Sequence, residues 1–343
     1  IAFGKASVSM TNACIELLST RFAGGIVLYP EQLKNKLRPI PNLKAFSVDH
    51  PNPTQRNIQT TEAVVEYTKS IPHTHACIVC ISGGGSAHLC SPKPGVTLKQ
   101  IIETTREFNE QGRTIHELNA ARRDLETLKA GGLAQCLAHT HHADAIVLSD
   151  VIDDDLETIA SGPMRDAENR VDHTIIGNHR TALLAARSEL KAQAFKIGHV
   201  SGDIQGEAKD VGCNLAQVFI KYPRAAALIA GESTVDTQNT SGHGGPCMET
   251  VLACALELAE HGAVNWMVLG FATDGIDGPT NAAGAVITSG MMPSVDIKQA
   301  KESLSNHDSL SFLEQTHALI LTGPSGTNLN DVCMVLPYDE YAG

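Results

Sequence analysis

Short apolar runs alternate with helix-length segments along this chain, and nearly every apolar run ends in a polar, glycine-rich stretch. That alternation is the mark of βαβ units, in which crossover helices join the strands of a largely parallel sheet. Strands are predicted at 26–29, 76–81, 144–149, 174–176, 225–230, 266–271 and 318–321, with a strand-like Ile1-Ala2-Phe3 ahead of them. Helical segments are predicted at 5–18, 97–109, 114–128, 180–192, 207–221, 248–261 and 298–303. In 114–128, Ile115, Leu118, Ala121, Leu125 and Leu128 make an apolar stripe at helical spacing that reads as core, with Arg122 and Arg123 outside it. At 343 residues the chain has room for about two domains. Helix–strand alternation restarts after Pro223, which suggests units of 1–222 and 223–343.

Open α/β sheets bind ligands beyond the carboxyl ends of their strands, so the loops there are expected to converge on one face. Those loops are Ser82-Gly83-Gly84-Gly85-Ser86, Asp150-Val151-Ile152-Asp153-Asp154-Asp155, Gly231-Glu232-Ser233-Thr234, Thr273-Asp274-Gly275-Ile276-Asp277-Gly278-Pro279-Thr280, and Thr322-Gly323-Pro324-Ser325-Gly326-Thr327-Asn328. Much of the surplus of 29 glycines lies in them.

Consecutive glycines let backbone N–H groups point together at an anion, and a helix start adds partial positive charge. The Ser82–Ser86 stretch therefore reads either as a cradle for phosphate or carboxylate or as a tight strand-to-loop turn. It is neither a Walker A loop nor a dinucleotide fingerprint. Lys5, just past the strand-like start, stands where a lysine could hold a phosphate or developing negative charge, although an exposed structural lysine fits the same position. Asp150, Asp153, Asp154, Asp155, Glu232, Asp274 and Asp277 crowd an anion pocket unless a divalent cation intervenes, and Mg²⁺ prefers carboxylates with waters and phosphate oxygens. Taken singly, each of these acids also suits a turn or a helix cap.

With 38 acidic and 26 basic residues the net charge is −12, which argues against nucleic acid as a partner. No apolar run approaches the length of a membrane-spanning helix. Ile1-Ala2-Phe3-Gly4-Lys5 has neither a starting Met nor the features of a signal peptide, so a structural element is expected upstream. Nine cysteines without framework spacing suit a reducing compartment, cytoplasmic or mitochondrial. Cys77 and Cys80 have C-x-x-C spacing but sit in a strand, where they are expected buried and inert. His139, His141 and His142 read as a solvated loop with no acid at metal spacing. Asn239-Thr240-Ser241 matches a glycosylation sequon by chance composition. No Gly-x-Ser-x-Gly elbow is present.

The residues resemble the class II glycerate 2-kinases. Gly4-Lys5-Ala6, the Ser82–Ser86 stretch with Ala87, Asn119 with Arg122 and Arg123, Lys129 with Gly131-Gly132-Leu133-Ala134, and Ser149-Asp150-Val151 with Asp154 and Ile159-Ala160-Ser161-Gly162-Pro163 look like the family's amino-terminal domain. Gly231-Glu232-Ser233-Thr234-Val235 and the two later loops resemble its carboxy-terminal MOFRL domain. The match keeps sequence order over nearly the whole chain. It implies a larger Rossmann-like, mostly parallel α/β domain and a smaller MOFRL-type α/β domain, with the active site in the cleft between them. It also implies ATP-dependent, Mg²⁺-assisted phosphorylation of D-glycerate to 2-phosphoglycerate. Under the resemblance Lys5 and Asp274 are catalytic, and Asp150 and Glu232 hold metal. Substrate or phosphate contacts fall to Ser82, Gly83, Gly84, Gly85, Ser86, Asn119, Arg122, Thr273, Gly275, Thr327 and Asn328. The implied partners are D-glycerate and ATP, with no nucleic acid and no membrane, and a homo-oligomer is left open.

The chain departs from the family pattern in several places. The leading helices are absent, the connection 164–175 is short, and Asp153, Ala130 and Ala272 stand where the family has glycine. The family has Gly-Arg-Asn-Gln-Glu over 245–249, and Pro246 replaces its arginine. Proline carries neither charge nor a donor. Two readings follow: a glycerate kinase with His243 or Arg122 covering part of the missing charge, or an impaired or inactive homologue acting as a binding or interaction protein. A hydroxypyruvate reductase lacks support, because no dinucleotide fingerprint is present.

Overall fold

The computed structural model describes residues 1–338 other than 112, 114, 167, 169 and 237–241. The Asn239 sequon lies outside the described residues. The chain divides into two compact units, Ile1–Ile176 with Gly326–Asn328, and Gly177–Ser325 with the chain from Leu329 onward. The division falls at Ile176/Gly177 rather than near Pro223, because a strand at Ile197–Ile204 pairs in parallel with one at Ala226–Gly231. The segment before Pro223 thus joins the second sheet.

The first unit holds strands β1 (Ala2–Phe3), β2 (Gly25–Pro30), β3 (Leu43–Val48), β4 (Ala76–Ser82), β5 (His142–Leu148) and β6 (Val171–Gly177). Their order is β3-β2-β1-β4-β5-β6, and every pair from β3 to β5 is parallel. Its helices are α1 (Ser7–Leu18), α2 (Gln55–Ser70), α3 (Gly85–His88), α4 (Leu98–Glu110), α5 (Ile115–Leu125) and α6 (Gly132–Leu137). Strand side chains alternate between two cores, as period-2 geometry requires. Phe3, Ile26, Leu28, Val79 and Ile81 join Leu133 and Leu137 of α6 on one face. Ala2, Val27, Tyr29 and Cys80 meet Val8 and Met10 of α1 on the other. The two-residue β1 sits at the centre of the sheet, and burying Phe3 completely contributes on the order of 2–3 kcal/mol.

α2 was not expected from apolar periodicity because its buried face is polar: Asn57, Thr60, Thr61 and Thr68 accompany Val64. A capping box of Thr54 and Asn57 starts it.

The second unit has α7 (His179–Ala192), β7 (Ile197–Ile204), α8 (Ala208–Lys221), β8 (Ala226–Gly231), α9 (Pro246–Glu260), β9 (Trp266–Ala272), β10 (Gly284–Thr288), α10 (Ile297–Ser305), α11 (Ser309–Gln315), β11 (Leu319–Ile320) and β12 (Asp331–Pro337). The sheet order is β11-β10-β9-β12-β8-β7. This sheet is mixed, not parallel: β12 runs antiparallel to β8 and β9, and β10 antiparallel to β9 and β11. Leu215, Phe219, Val251, Leu252 and Trp266 form one core, while Leu183, Leu190, Leu228 and Val332 form the other. α9 is buried nearly all round, so it reads as apolar on every side. Among the described residues no helix is long and apolar enough to cross a membrane.

Candidate functional site

In the first unit β1 ends at Gly4, where φ is +104° and a Cβ would overlap the Ser82 carbonyl and hydroxyl oxygens. The turn is tied at three points. Gly4 N–H donates to His88 Nδ1 at 3.0 Å, Lys5 N–H to the Gly83 carbonyl at 2.8 Å, and Ala6 N–H to Ser82 Oγ at 2.9 Å. Lys5 is thereby fixed by its backbone beside the glycine-rich loop, with a partly exposed side chain. Burial first, then the charges of His50 and Lys5, push the imidazole of His88 down to about 3, so it stays neutral and accepts at Nδ1. Its Nε2 is buried and, among the described residues, has no hydrogen-bond partner.

Gly83 is glycine for a steric reason. A Cβ there would overlap Asp150 Oδ2 and Asn328 Nδ2, which themselves hydrogen bond at 2.9 Å with the amide donating. Beneath the loop lies a polar layer. Ser86 Oγ meets Ser161 Oγ at 2.8 Å, Ser161 Oγ donates to Asn119 Oδ1 at 2.8 Å, and Asn119 Nδ2 donates to the Thr158 carbonyl at 3.3 Å. Ala160 and Ser161 both hold left-handed backbone, with φ of 52° and 62°. That costs on the order of 1–3 kcal/mol per residue and aims the Ser161 hydroxyl at both partners. Lys129 Nζ donates to the carbonyls of Ser86 and Leu89 at 2.7 and 2.9 Å, with Glu126 3.7 Å away. Burial lowers both the Lys129 ammonium and the Arg122 guanidinium, while Glu126 opposes the shift.

Ser82 and Asn119 are 0% and 2% exposed, and their polar atoms are engaged with protein. They hold the loop rather than face a ligand. Gly84, Ser86, Arg122 and Thr327 keep partial exposure, and Thr327 follows Gly326, whose carbonyl accepts from Ser9 Oγ at 2.9 Å. The structure therefore brings Lys5, the Ser82–Ser86 stretch, Asn119, Asp150 and Asn328 together in this unit.

In the second unit the ends of β8 and β9 meet the start of antiparallel β12, with Asp331 opposite both Gly231 and Ala272. Glu232, Asp274, Asp277 and Asp331 gather at this edge. Glu232 Oε2 accepts from Asn330 Nδ2 at 3.3 Å, and Asp274 Oδ1 accepts from Ile276 N–H at 2.9 Å. Thr273 Oγ1 donates to the Asn330 carbonyl at 2.7 Å and accepts from Leu329 N–H at 2.7 Å. At Gly275, where φ is +88°, a Cβ would overlap the Gly323 carbonyl. Desolvation pushes the Asp331 carboxyl well above the usual carboxylate range, and Asp277, Glu232 and Asp274 add to the shift. Among the described residues, the group of imidazole and carboxylate atoms close enough together to share a metal ion is His142, Asp144 and Asp172 rather than these acids.

Asp277 is engaged by backbone donors of α9. Its two oxygens accept from Cys247 N–H at 3.0 Å and Met248 N–H at 2.8 Å, closing the start of α9, and burial holds its carboxyl up at about 7. Pro246 is the first helical residue, a position that needs no N–H. The expected arginine position is thus a helix start sealed by the protein's own carboxylate. His243 N–H donates to Asp308 Oδ1 at 3.1 Å.

Two expectations need correction. His142 does have acid partners: its Nε2 lies 2.9 Å from Asp144 Oδ1 and 3.6 Å from Asp172 Oδ2. One acid is two residues along the same strand and the other is on β6, a pairing that sequence spacing does not display. Cys77 and Cys80 are buried as expected, but Cys80 is not isolated, since its Sγ lies 3.4 Å from that of Cys14. Sequence reasoning also passed over His88 and Asp331, and took Ser161 only as part of the family motif, without a role. Asp331 opens an apolar strand and could have been found by that position; His88 offered no such signal.

Residues 1–189 match the family model described as a domain of unknown function (DUF4147), and residues 225–331 match the MOFRL family. A D-glycerate 2-kinase of Thermotoga maritima is 29% identical over 98% of this chain and 89% of its own length. A glycerate 2-kinase of Pyrococcus horikoshii is 26% identical over 98% and 86%. The crystal structure of a glycerate kinase from Thermotoga maritima superposes with a TM-score of 0.84 at 28% identity, covering 98% of this chain and 90% of that one. The order of the motifs, the two sheets and these matches agree, and the chain belongs to the DUF4147/MOFRL glycerate kinase family.

Proposed function

We propose that this protein transfers a phosphoryl group from ATP to the 2-hydroxyl of D-glycerate, with Mg²⁺, giving 2-phosphoglycerate. The observation that carries the reading is Lys5, locked by three backbone hydrogen bonds of the 4–6 turn beside the Ser82–Ser86 stretch. Phosphoryl transfer asks a protein mainly for positioning and for charge held ready where negative charge develops. Lys5 supplies that charge without reorganising its backbone.

The remaining assignments follow the chemistry of each group. Gly83, Gly84, Gly85 and Ser86 shape the loop that receives an anionic group, with Arg122, Thr327 and Asn328 as further polar contacts from the first unit. Ser82 and Asn119 are positioning residues acting through Ala6 and Ser161. In the second unit Asp274 takes the proton of the acceptor hydroxyl, and Thr273 and Gly275 shape its loop. ATP would supply the phosphoryl group, and Mg²⁺, when bound, would neutralise charge on the phosphate oxygens, with Asp150 of the first unit and Glu232 of the second as the candidate carboxylates. Phosphorus NMR of a reaction with D-glycerate, ATP and Mg²⁺ tests this: the expected product is 2-phosphoglycerate, and 3-phosphoglycerate or an unphosphorylated acceptor overturns it.

One observation favours a second reading, an impaired homologue that binds without turnover. Pro246 removes a charge, and Asp277 already occupies the N–H groups of Cys247 and Met248. Calorimetric binding of D-glycerate with no product, unchanged in Pro246→Arg, would support it.

A further inference from the structure

Cys14 on α1 and Cys80 on β4 bring their Sγ atoms to 3.4 Å in a contact that either thiol can donate. Cys14 is half-buried and Cys80 is buried behind it, so the two sulfurs differ in exposure while touching. We propose that Cys14 and Cys80 are a peroxide-oxidisable dithiol that closes to a disulfide tying α1 to β4. The two sulfurs need to approach only from 3.4 Å to about 2.05 Å.

The two cysteines are unequal, as a nucleophile and its resolving partner must be. Cys14 is half-buried, and the hydrogen bond with Cys80 lowers its thiol to about 7, with burial opposing. The same contact and burial push Cys80 up. Burial raises Cys77, Cys136 and Cys213, and lifts Cys90 to about 12, so these thiols are poor competitors.

The Cys14 thiolate attacks one oxygen of hydrogen peroxide, the O–O bond breaks, a sulfenic acid forms, and the hydroxide that leaves takes up the proton lost by the Cys14 thiol and departs as water. Cys80 Sγ then attacks the Cys14 sulfur, the S–O bond breaks, and hydroxide leaves with the Cys80 proton as a second water. Two thiols are oxidised and one peroxide is reduced. Cys80 is the register partner of Ala2, and α1 begins two residues after Lys5, so the bond would clamp the helix that follows the Lys5 turn to the strand beside β1.

The test is peptide mapping of the full chain after hydrogen peroxide treatment and alkylation, a readout that does not depend on any phosphoryl transfer. The expected result is one Cys14–Cys80 linked peptide, a fall from nine free thiols to seven, and recovery with dithiothreitol. Cys80→Ser should stop at a Cys14 sulfenic acid that dimedone traps. If that variant fails to fold, Cys14→Ser, at the more exposed position, should leave nine-minus-one thiols alkylatable after peroxide and denaturation, with no crosslink. Two unlinked, fully alkylatable cysteines in peroxide-treated wild type would overturn the proposal. So would a Cys14 sulfinic acid beside a free Cys80 thiol.

Discussion

Asn328 donates from Nδ2 to Asp150 Oδ2 at 2.9 Å, joining residues 178 positions apart directly over Gly83. The contact explains why the segment Gly326–Asn328 belongs to the first unit although the chain on both sides of it belongs to the second.

Gly83→Ala puts a methyl group where the Asp150 and Asn328 side chains meet. Overpacking of this kind costs about 1–3 kcal/mol. The expected outcome is a folded protein with a Tm lower by a few degrees and kcat/KM reduced by about tenfold or more. Turnover equal to wild type would remove the Asp150–Asn328 pair from the site.

His88 gives a pH dependence of stability with a definite sign. Its imidazole falls from 6.5 to about 3 on folding, so the unfolded chain binds the proton more tightly between those values. The stability linked to it is complete above about pH 6.5 and is lost as pH falls towards 3. His50, Lys5 and Lys129 are the charged neighbours that oppose protonation. Urea unfolding of wild type between pH 4 and 7 should show this slope, on the order of a few kcal/mol across the range. His88→Gln keeps an acceptor for Gly4 N–H and should flatten it.

Asp277→Ala strips the acceptors from Cys247 N–H and Met248 N–H at the buried start of α9. Leaving two buried donors unpaired should cost about 2–4 kcal/mol in denaturant unfolding. Asp277→Asn keeps an oxygen acceptor and should cost less.

Ala130 is exposed and holds φ of +48°, a left-handed conformation that suits the glycine found there in the family pattern. Ala130→Gly relieves about 1–2 kcal/mol of strain and gives back up to about 1 kcal/mol through the freer unfolded chain. A small net gain, read as a Tm increase, is expected. A lower Tm would contradict the strain assignment.

Much of this was legible in the chain. The parallel first sheet and the loop positions follow from apolar runs ending in glycine and acid, whereas the roles proposed for Lys5, Asp150 and Asp274 came from the family resemblance. The mixed second sheet was not legible, because β10 and β12 are apolar runs whose direction depends on their neighbours. α2 escaped because threonines form much of its buried face. The engagement of Ser82 and Asn119 with protein, and of Asp277 with α9, depends on contacts 76, 42 and 30 residues away, which no local pattern carries.

The central claim is that Lys5 serves a working phosphoryl-transfer site. ADP release by wild type and Lys5→Ala, with D-glycerate, ATP and Mg²⁺, tests it most directly. Glycerate-dependent ADP release in wild type, lower by about 10²–10³ in Lys5→Ala with its fold intact, is the predicted result. Equal turnover in the two proteins, or none in wild type even when Pro246→Arg is introduced, would contradict it.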